Sequence, residues 1–316
     1  MSPCHVNTIR ADEQERVLIC TLTCAYDDHD ETGAVAKRAV VPKEKATNMV
    51  ELGNDHCSVV HDGHIVTITM NRPERKNALS ARMLVAMYDA WHYIDATPEV
   101  RVAVLTGAGG DFCSGADLKA MASDDQADQA VMHRWGDDPD LHWKALLRHH
   151  RVSKPLIAAV EGIAVAGGTE ILQATDIRVA AQGATFGVSE VRRGLFPLGG
   201  STVRLRRQIP HTVAMDLLLT GRFITATEAK EIGLVGRVVP DGAALDTALE
   251  IAEQIAANGP LAVQAVKRSV VEGADMSEVD ALAHELEIGQ PIFATKDAKE
   301  GPRAFAEKRA AVFTGE

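Results

Sequence analysis

Residues 154–180 read KPLIAAVEGIAVAGGTEILQATDIRVA. The run PLIAAVEG is short, apolar and closed by a glycine, the pattern of a strand buried on both faces. Gly167-Gly168 then interrupts a series of small and aliphatic residues and opens a short helix, and DIRVAA starts a further strand at Asp176. Strand, helix and strand in succession make a crossover connection, so the fold class is α/β. One residue does not suit this reading. Glu170 is a carboxylate where a core position would normally stand, and burying it ionised without partners is so costly that such groups usually take up a proton. Either Glu170 lies on a wet face or a cavity is built around it.

Upstream, VRVAVLTG reads as another buried strand, and residues 107–115 form a glycine-rich loop leading to a helix that starts near Ala116. Earlier still, CSVVHDGHIVTITMNRP places two β-rich runs around Asp62-Gly63, which predicts a hairpin. Ser80 can cap a helix whose apolar residues, Met83, Leu84, Met87, Trp91 and Ile94, recur at helical spacing until Pro98. The acidic stretch 122–140 reads as a mobile surface loop. Past Pro210 the pattern turns mainly helical. TATEAKEIG is a capped helix, LVGRVV a last strand, and four helical stretches follow with breaks near Gly259-Pro260, Gly273 and Pro291. Residues 1–48 carry little to build a core, so the expected division is an extension or misplaced start at 1–48, a core at 49–250 and a helical region at 251–316.

At 46% hydrophobic and 24% charged over 316 residues, the chain has material for a large core and a soluble surface. Its 33 basic against 44 acidic residues give a net charge of -11, which argues against broad contact with nucleic acid or anionic membrane. Five cysteines without framework spacing point to a reducing, cytoplasmic compartment. Cys20, Cys24 and His29 fall short of a zinc ligand set, so no metal is expected. No apolar run reaches the roughly 18 to 20 residues of a membrane span. The apolar VLICTLTCAY follows acidic residues rather than a basic flank, so it does not read as a signal peptide.

The two glycine-rich loops each turn a strand into a helix, where unpaired backbone N–H groups can face an incoming negative charge. Two such groups converging on one oxygen make an oxyanion hole. GAGGDF is no dinucleotide fingerprint, because Phe112 stands where the third glycine belongs, and no G-x-S-x-G elbow is present. A third stretch, ATFGVSEVRRGLFPLGGS, sets Glu190 before another Gly-Gly turn; alone it would read as a surface acid.

In order, NRPERKNALS, GDFCSGADLK, the opening stretch, FGVSEVRRGLFPLGG, LLTGRFITATEAKEIGLV and AFAEKRAA closely resemble the crotonase family of enoyl-CoA hydratases and isomerases. The resemblance runs from about Val59 to Phe313. It implies a crotonase-like spiral of ββα turns followed by C-terminal helices that build a trimer, often stacked into a hexamer. The implied substrate is an acyl-CoA, with no separate cofactor because coenzyme A is part of the substrate. The oxyanion-hole donors would be the N–H groups of Ala116 and Gly167. Ala116, Asp117, Leu118 and Lys119 match the ligand-binding segment, Arg75 and Lys76 the path of the CoA, and Phe305 and Lys308 positions that reach a neighbouring subunit's CoA.

Glu170 and Glu190 match the family's catalytic pair, Glu170 holding and activating water and Glu190 moving a proton at C2. Two glutamates favour a hydratase over an isomerase, a thioester hydrolase or a decarboxylase. The net charge, with no Lys/Arg-rich helix, disfavours the RNA-binding role one relative has, and the paired acids disfavour a silent scaffold. Two departures stand out. Pro197-Leu198-Gly199-Gly200 is one residue shorter than the usual turn that helps place water, and Ala166 replaces a common glycine, which a negative φ would tolerate. Leu141 and Trp143 are expected to join the 122–140 loop in a wall for a medium or bulky acyl chain, whose length the sequence leaves open.

Overall fold

A computed structural model describes residues 49–117 and 130–316. Its larger sheet has seven strands in the order β1 (Val50–Asn54), β2 (Cys57–Asp62), β3 (Ile65–Met70), β4 (Val102–Gly107), β5 (Leu156–Val160), β7 (Ile177–Ala181) and β10 (Arg237–Val239). A smaller sheet joins β6 (Ile163–Val165), β8 (Thr185–Gly187) and β9 (Ile224–Thr225). Pairing is antiparallel from β1 to β3 and parallel from β3 to β10. Asp62 pairs with Ile65, so the hairpin loop is Gly63-His64, one residue beyond the Asp62-Gly63 pair that the sequence suggested. Gly63 supplies the positive φ, +59°. The first strand, which residue patterning did not single out, is tied to β2 by Asn54, whose side-chain oxygen accepts from the N–H groups of His56 and Cys57.

Strands β4 and β5 are buried along nearly their whole length. Leu156, Ala158 and Val160 face a cluster containing Met83, Met87, Trp91 and Ile94 of α1 (Ala81–Ala96). That helix begins where Ser80 Oγ accepts from the Met83 N–H at 3.2 Å, a cap worth about 1 kcal/mol. Leu84, expected on its buried stripe, is only partly covered. The described part of the acidic loop is held against α1 rather than left free. Arg134, in the helical turn α2 (Arg134–Asp137), grips both oxygens of Asp89, and Asp138 accepts from Tyr88 and Lys144. In α3 (Leu141–Ala145) Leu141 is fully buried, so it belongs to the interior and not to a pocket wall. Trp143 is half-buried under the Arg148 guanidinium.

The strand read over residues 155–162 does close at Gly162, but a further strand, β6, which residue patterning did not single out, follows at once. Gly162 turns the chain at φ +52° between β5 and β6, and a Cβ there would collide with the Gly110 carbonyl and the Asp111 carboxylate. The chain then forms α4 (Gly167–Leu172), returns to the large sheet as β7 and crosses again to the small one as β8. The passages β5–β6 and β7–β8 thus each give one strand to either sheet.

Beyond β8 come α5 (Ser201–Gln208), α6 (His211–Thr220), α7 (Ala226–Glu231) and α8 (Ala244–Ala256). The last buries Ala248, Ile251 and Ala252 against Val102, Val104, Ile157 and Val179 on the other face of the large sheet. Glu161, at the β5–β6 corner, caps it by accepting from the Gly242 and Ala244 N–H groups at 3.1 Å. Three more helices, α9 (Pro260–Glu272), α10 (Glu278–Gly289) and α11 (Lys296–Ala306), complete the four expected. They leave Val270 (71% exposed), Val279, Leu282, Leu286 and Phe293 (83%) uncovered.

Among the described residues no helix is long and apolar enough to cross a membrane. Burial pushes the Cys57 and Cys113 thiols up to about 12, which makes them inert packing groups. Cys20, Cys24 and His29 lie outside the described residues.

Candidate active site

Four segments meet around Glu170. The loop after β4 is stitched to the small sheet by the Cys113–Ala164 bridge, in which the Val165 N–H donates to the Cys113 carbonyl at 3.0 Å. It is stitched to the start of α1 by Leu79, whose N–H donates to Gly115 and whose carbonyl accepts from Asp117. At Gly115 (φ +89°) a Cβ would lie 2.8 Å from the Ala166 methyl and 3.0 Å from the Gly167 nitrogen. Only glycine lets the two loops approach this closely. The Ala116 and Gly167 backbones are thereby brought together, a Cβ on Gly167 lying 3.8 Å from the Ala116 nitrogen, and among the described residues neither N–H donates to an acceptor. Two free donors, one at a helix N-terminus, are what an oxyanion hole requires.

Ala166 takes φ +50° and ψ −125°, so the condition under which alanine would be tolerated, a negative φ, is not met. An L-residue there is strained by about 1–3 kcal/mol. Its neighbours hold it in place. The Ala166 N–H donates to the Gly187 carbonyl at 2.8 Å, its own carbonyl accepts from Glu170, and the Thr169 hydroxyl ties Ala164 to Gly187. This conformation leaves the Gly167 N–H directed away from the strand ladder.

Glu170 is 5% exposed and is satisfied from a distant segment: Oε2 accepts from the Gly199 N–H at 2.9 Å and Oε1 from the Ser201 N–H at 3.1 Å. The shortened Pro197-Leu198-Gly199-Gly200 turn thus holds the carboxylate itself. Burial pushes the Glu170 pKa up, and these N–H bonds partly restrain it. Glu190 opens a helical turn (Glu190–Arg193) just after β8 and is half-buried. Its Oε2 is buried with no hydrogen-bond partner. Burial first, and then the charge of Glu170, raise its pKa to about 7. The two acids titrate as a pair, and their surroundings are unequal. Glu170, with two N–H donors, is the better carboxylate; Glu190, with none on Oε2, is the better acid.

The remaining expected residues are scattered. Arg75 is exposed, and Lys76 (φ +51°) lies 3.5 Å from Asp111. Asp117 is 7% exposed and bonds the Arg72 guanidinium at 3.0 Å, so its carboxylate braces the loop from inside. Leu118 and Lys119 lie outside the described residues. Phe305 is 88% exposed, with Lys308 beyond it in a left-handed turn, φ +54°. Sequence reading passed over Asn77, which is fully buried. Its side chain accepts from the Arg72 N–H and donates to the Ala108 and Asp111 carbonyls, fixing the glycine-rich loop. It also passed over the Gly199 and Ser201 donors, because nothing near Glu170 in the chain announces them.

Known proteins match this chain at high identity. The profile of the enoyl-CoA hydratase/isomerase family matches residues 61–316. Enoyl-CoA hydratase EchA19 of Mycobacterium tuberculosis is 56% identical over 264 residues, spanning 84% of this chain and 98% of that protein. The (E)-benzylidenesuccinyl-CoA hydratase of Thauera aromatica is 40% identical over 80% of this chain and 96% of its own length. Among solved structures, enoyl-CoA hydratase EchA1 from Mycobacterium marinum superposes with a TM-score of 0.74 at 44% identity, covering 83% of this chain and 100% of that one. With a crotonase-type spiral, two free backbone donors, the buried Glu170 and the half-buried Glu190, the chain belongs to the enoyl-CoA hydratase/isomerase family.

Proposed function

We propose that the protein adds water across the 2,3 double bond of a 2-enoyl-CoA thioester. The observation that carries this reading is the unequal pair of buried acids beside two free backbone donors. The thioester oxygen would accept from the Ala116 and Gly167 N–H groups. Glu170, as carboxylate, takes a proton from the water whose oxygen bonds to C3, and the electrons of the double bond move toward the thioester oxygen as an enolate. Glu190, as acid, gives its proton to C2 and the enolate collapses. One proton has entered Glu170 and one has left Glu190, so transfer within the pair restores the starting state. Preorganised donors at the enolate oxygen contribute several kcal/mol, and each acid/base group about 10²- to 10⁴-fold.

Arg75 and Lys76 are suited by charge to the CoA phosphates, and coenzyme A arrives as part of the substrate rather than as a resident cofactor. The uncovered apolar side chains of α9 and α10 support self-association, as a trimer or hexamer, with Phe305 and Lys308 reaching a neighbour's CoA. The five cysteines without framework spacing support a cytoplasmic compartment, and the acidic balance favours an acyl-CoA enzyme over an RNA-binding role.

The test is to follow loss of the conjugated thioester's ultraviolet absorbance across enoyl-CoAs of increasing bulk, alongside a 3-enoyl-CoA. Hydration of the 2-enoyl series is the expected result. Consumption of the 3-enoyl thioester with no hydration at any chain length would make the enzyme an isomerase.

A further inference from the structure

Behind the turn that holds Glu170 stands a guanidinium to which the hydration chemistry assigns no task. Arg204, on α5, is half-buried, and its Nη1 donates to the Gly199 carbonyl at 3.4 Å while its Nη2 donates to the Leu147 carbonyl. Neither acceptor is a carboxylate. The charged groups around it account for what it can feel. Arg148 and Arg151, before β5, are like charges, and Arg151 with burial pushes the Arg204 pKa down. His150 and Lys267 line the same small cavity, but each has its own acid, Asp95 at 2.9 Å and Asp176 at 2.7 Å. The carboxylate whose charge opposes these effects on Arg204 is Glu170.

The two side chains grip one turn from opposite sides. Glu170 accepts from the Gly199 and Ser201 N–H groups, and Arg204 donates to the Gly199 carbonyl between them. A Cβ on Gly200 would lie 3.3 Å from Arg204 Nη1, so the guanidinium packs directly on that peptide. We propose that Arg204 is a positioning residue for Glu170: it locks the turn so that both N–H groups meet the carboxylate, and its charge keeps Glu170 the ionised member of the pair. The shortened turn is then compensated, because a side chain from the following helix stiffens it. This inference rests on Glu170 being the base of the hydration reaction.

The test compares Arg204→Met, Arg204→Lys, Glu170→Gln and the Arg204→Met/Glu170→Gln double variant in the full chain, measuring hydration against pH. Losing the charge should raise the pH at which the base becomes ionised. For Arg204→Met the acid limb of kcat/KM should move up by about one pH unit, and kcat should fall roughly 10- to 100-fold with KM nearly unchanged. Arg204→Lys keeps the charge, so its limb should stay within about half a pH unit while kcat falls a few-fold. In the Glu170→Gln background, Arg204→Met should cost less than about 3-fold more, since the partner it acts through is gone.

Wild-type kcat and limb in Arg204→Met, a loss confined to KM, or multiplicative losses in the double variant would each overturn the proposal. Should the methionine variant not fold, the lysine decides: a limb displaced by more than about half a unit refutes the role of the charge, and an undisplaced limb with reduced kcat supports it. Near-normal hydration in Glu170→Gln would instead remove the base assignment itself, an outcome visible without any Arg204 variant.

Discussion

Replacing Glu190 by glutamine should make the protein inactive and, above neutral pH, more stable. A carboxyl whose pKa rises from 4.5 to about 7 on folding prefers to be protonated in the native state. Its contribution is fully present below the unfolded value and is lost as pH rises through the folded one. At about 1.4 kcal/mol for each tenfold, the ionised side chain costs the fold roughly 3 kcal/mol at most, and partial exposure trims that to about 1–2 kcal/mol. Glutamine cannot ionise, so the variant should match the wild type near pH 4.5 and exceed it above pH 7. For a chain of this size the gain amounts to a Tm rise of about 1.5–3 °C. Thermal melts at closely spaced pH values, run with hydration assays, measure both sides, and kcat should fall about 10²- to 10⁴-fold. A Tm difference that is the same at pH 5 and pH 8, or a destabilised variant at pH 8, would refute the reasoning, because Glu190 would then lack the burial and the neighbouring charge that raise its pKa.

Glu170→Gln should lower kcat by a similar factor while acyl-CoA affinity holds, and the double glutamine variant should lose far less than the product of the single losses, since both act on one water and one proton; additive losses would show that they act separately. Ala166→Gly should release backbone strain and raise Tm, the gain of about 1–3 kcal/mol being reduced by up to about 1 kcal/mol for glycine's extra freedom; a lower Tm would mean that the Ala166 conformation is not strained. Light scattering should give a trimer or hexamer, and a fully active monomer would remove the reason for the uncovered Val270, Val279 and Phe293.

Much of the fold could be read because local chemistry determined it. Ser80 caps its helix through its own side chain, the apolar runs of β4 and β5 reflect burial on two faces, and the C-terminal helices break at their glycines and prolines. What could not be read depended on other parts of the chain. The three residues of β6 after Gly162 are too few for periodicity to register as a strand, and only the approach of Gly110 and Asp111 makes glycine necessary at that corner. Both glutamates were legible through resemblance to the family, but the environment of Glu170 was not, since its donors lie 29 and 31 residues downstream. The positive φ of Ala166 and the inward-facing Asp117 escaped for the same reason: each is imposed by a contact with a remote segment. Leu141 misled because an apolar residue after a polar loop can serve the interior as well as a ligand.

The small sheet has a consequence for how such an enzyme can change. Gly167 follows β6, Glu190 follows β8, and the loop carrying Ala116 is joined to β6 at Cys113 and Ala164. Three of the four groups proposed to act on the substrate therefore hang from one set of backbone bonds, and their spacing does not depend on which side chains flank them. Side chains that take no part in these bonds can change while the three groups stay in register. A library that randomised β6 or β8 would disturb the spacing of all three groups at once and would mostly sample dead enzymes.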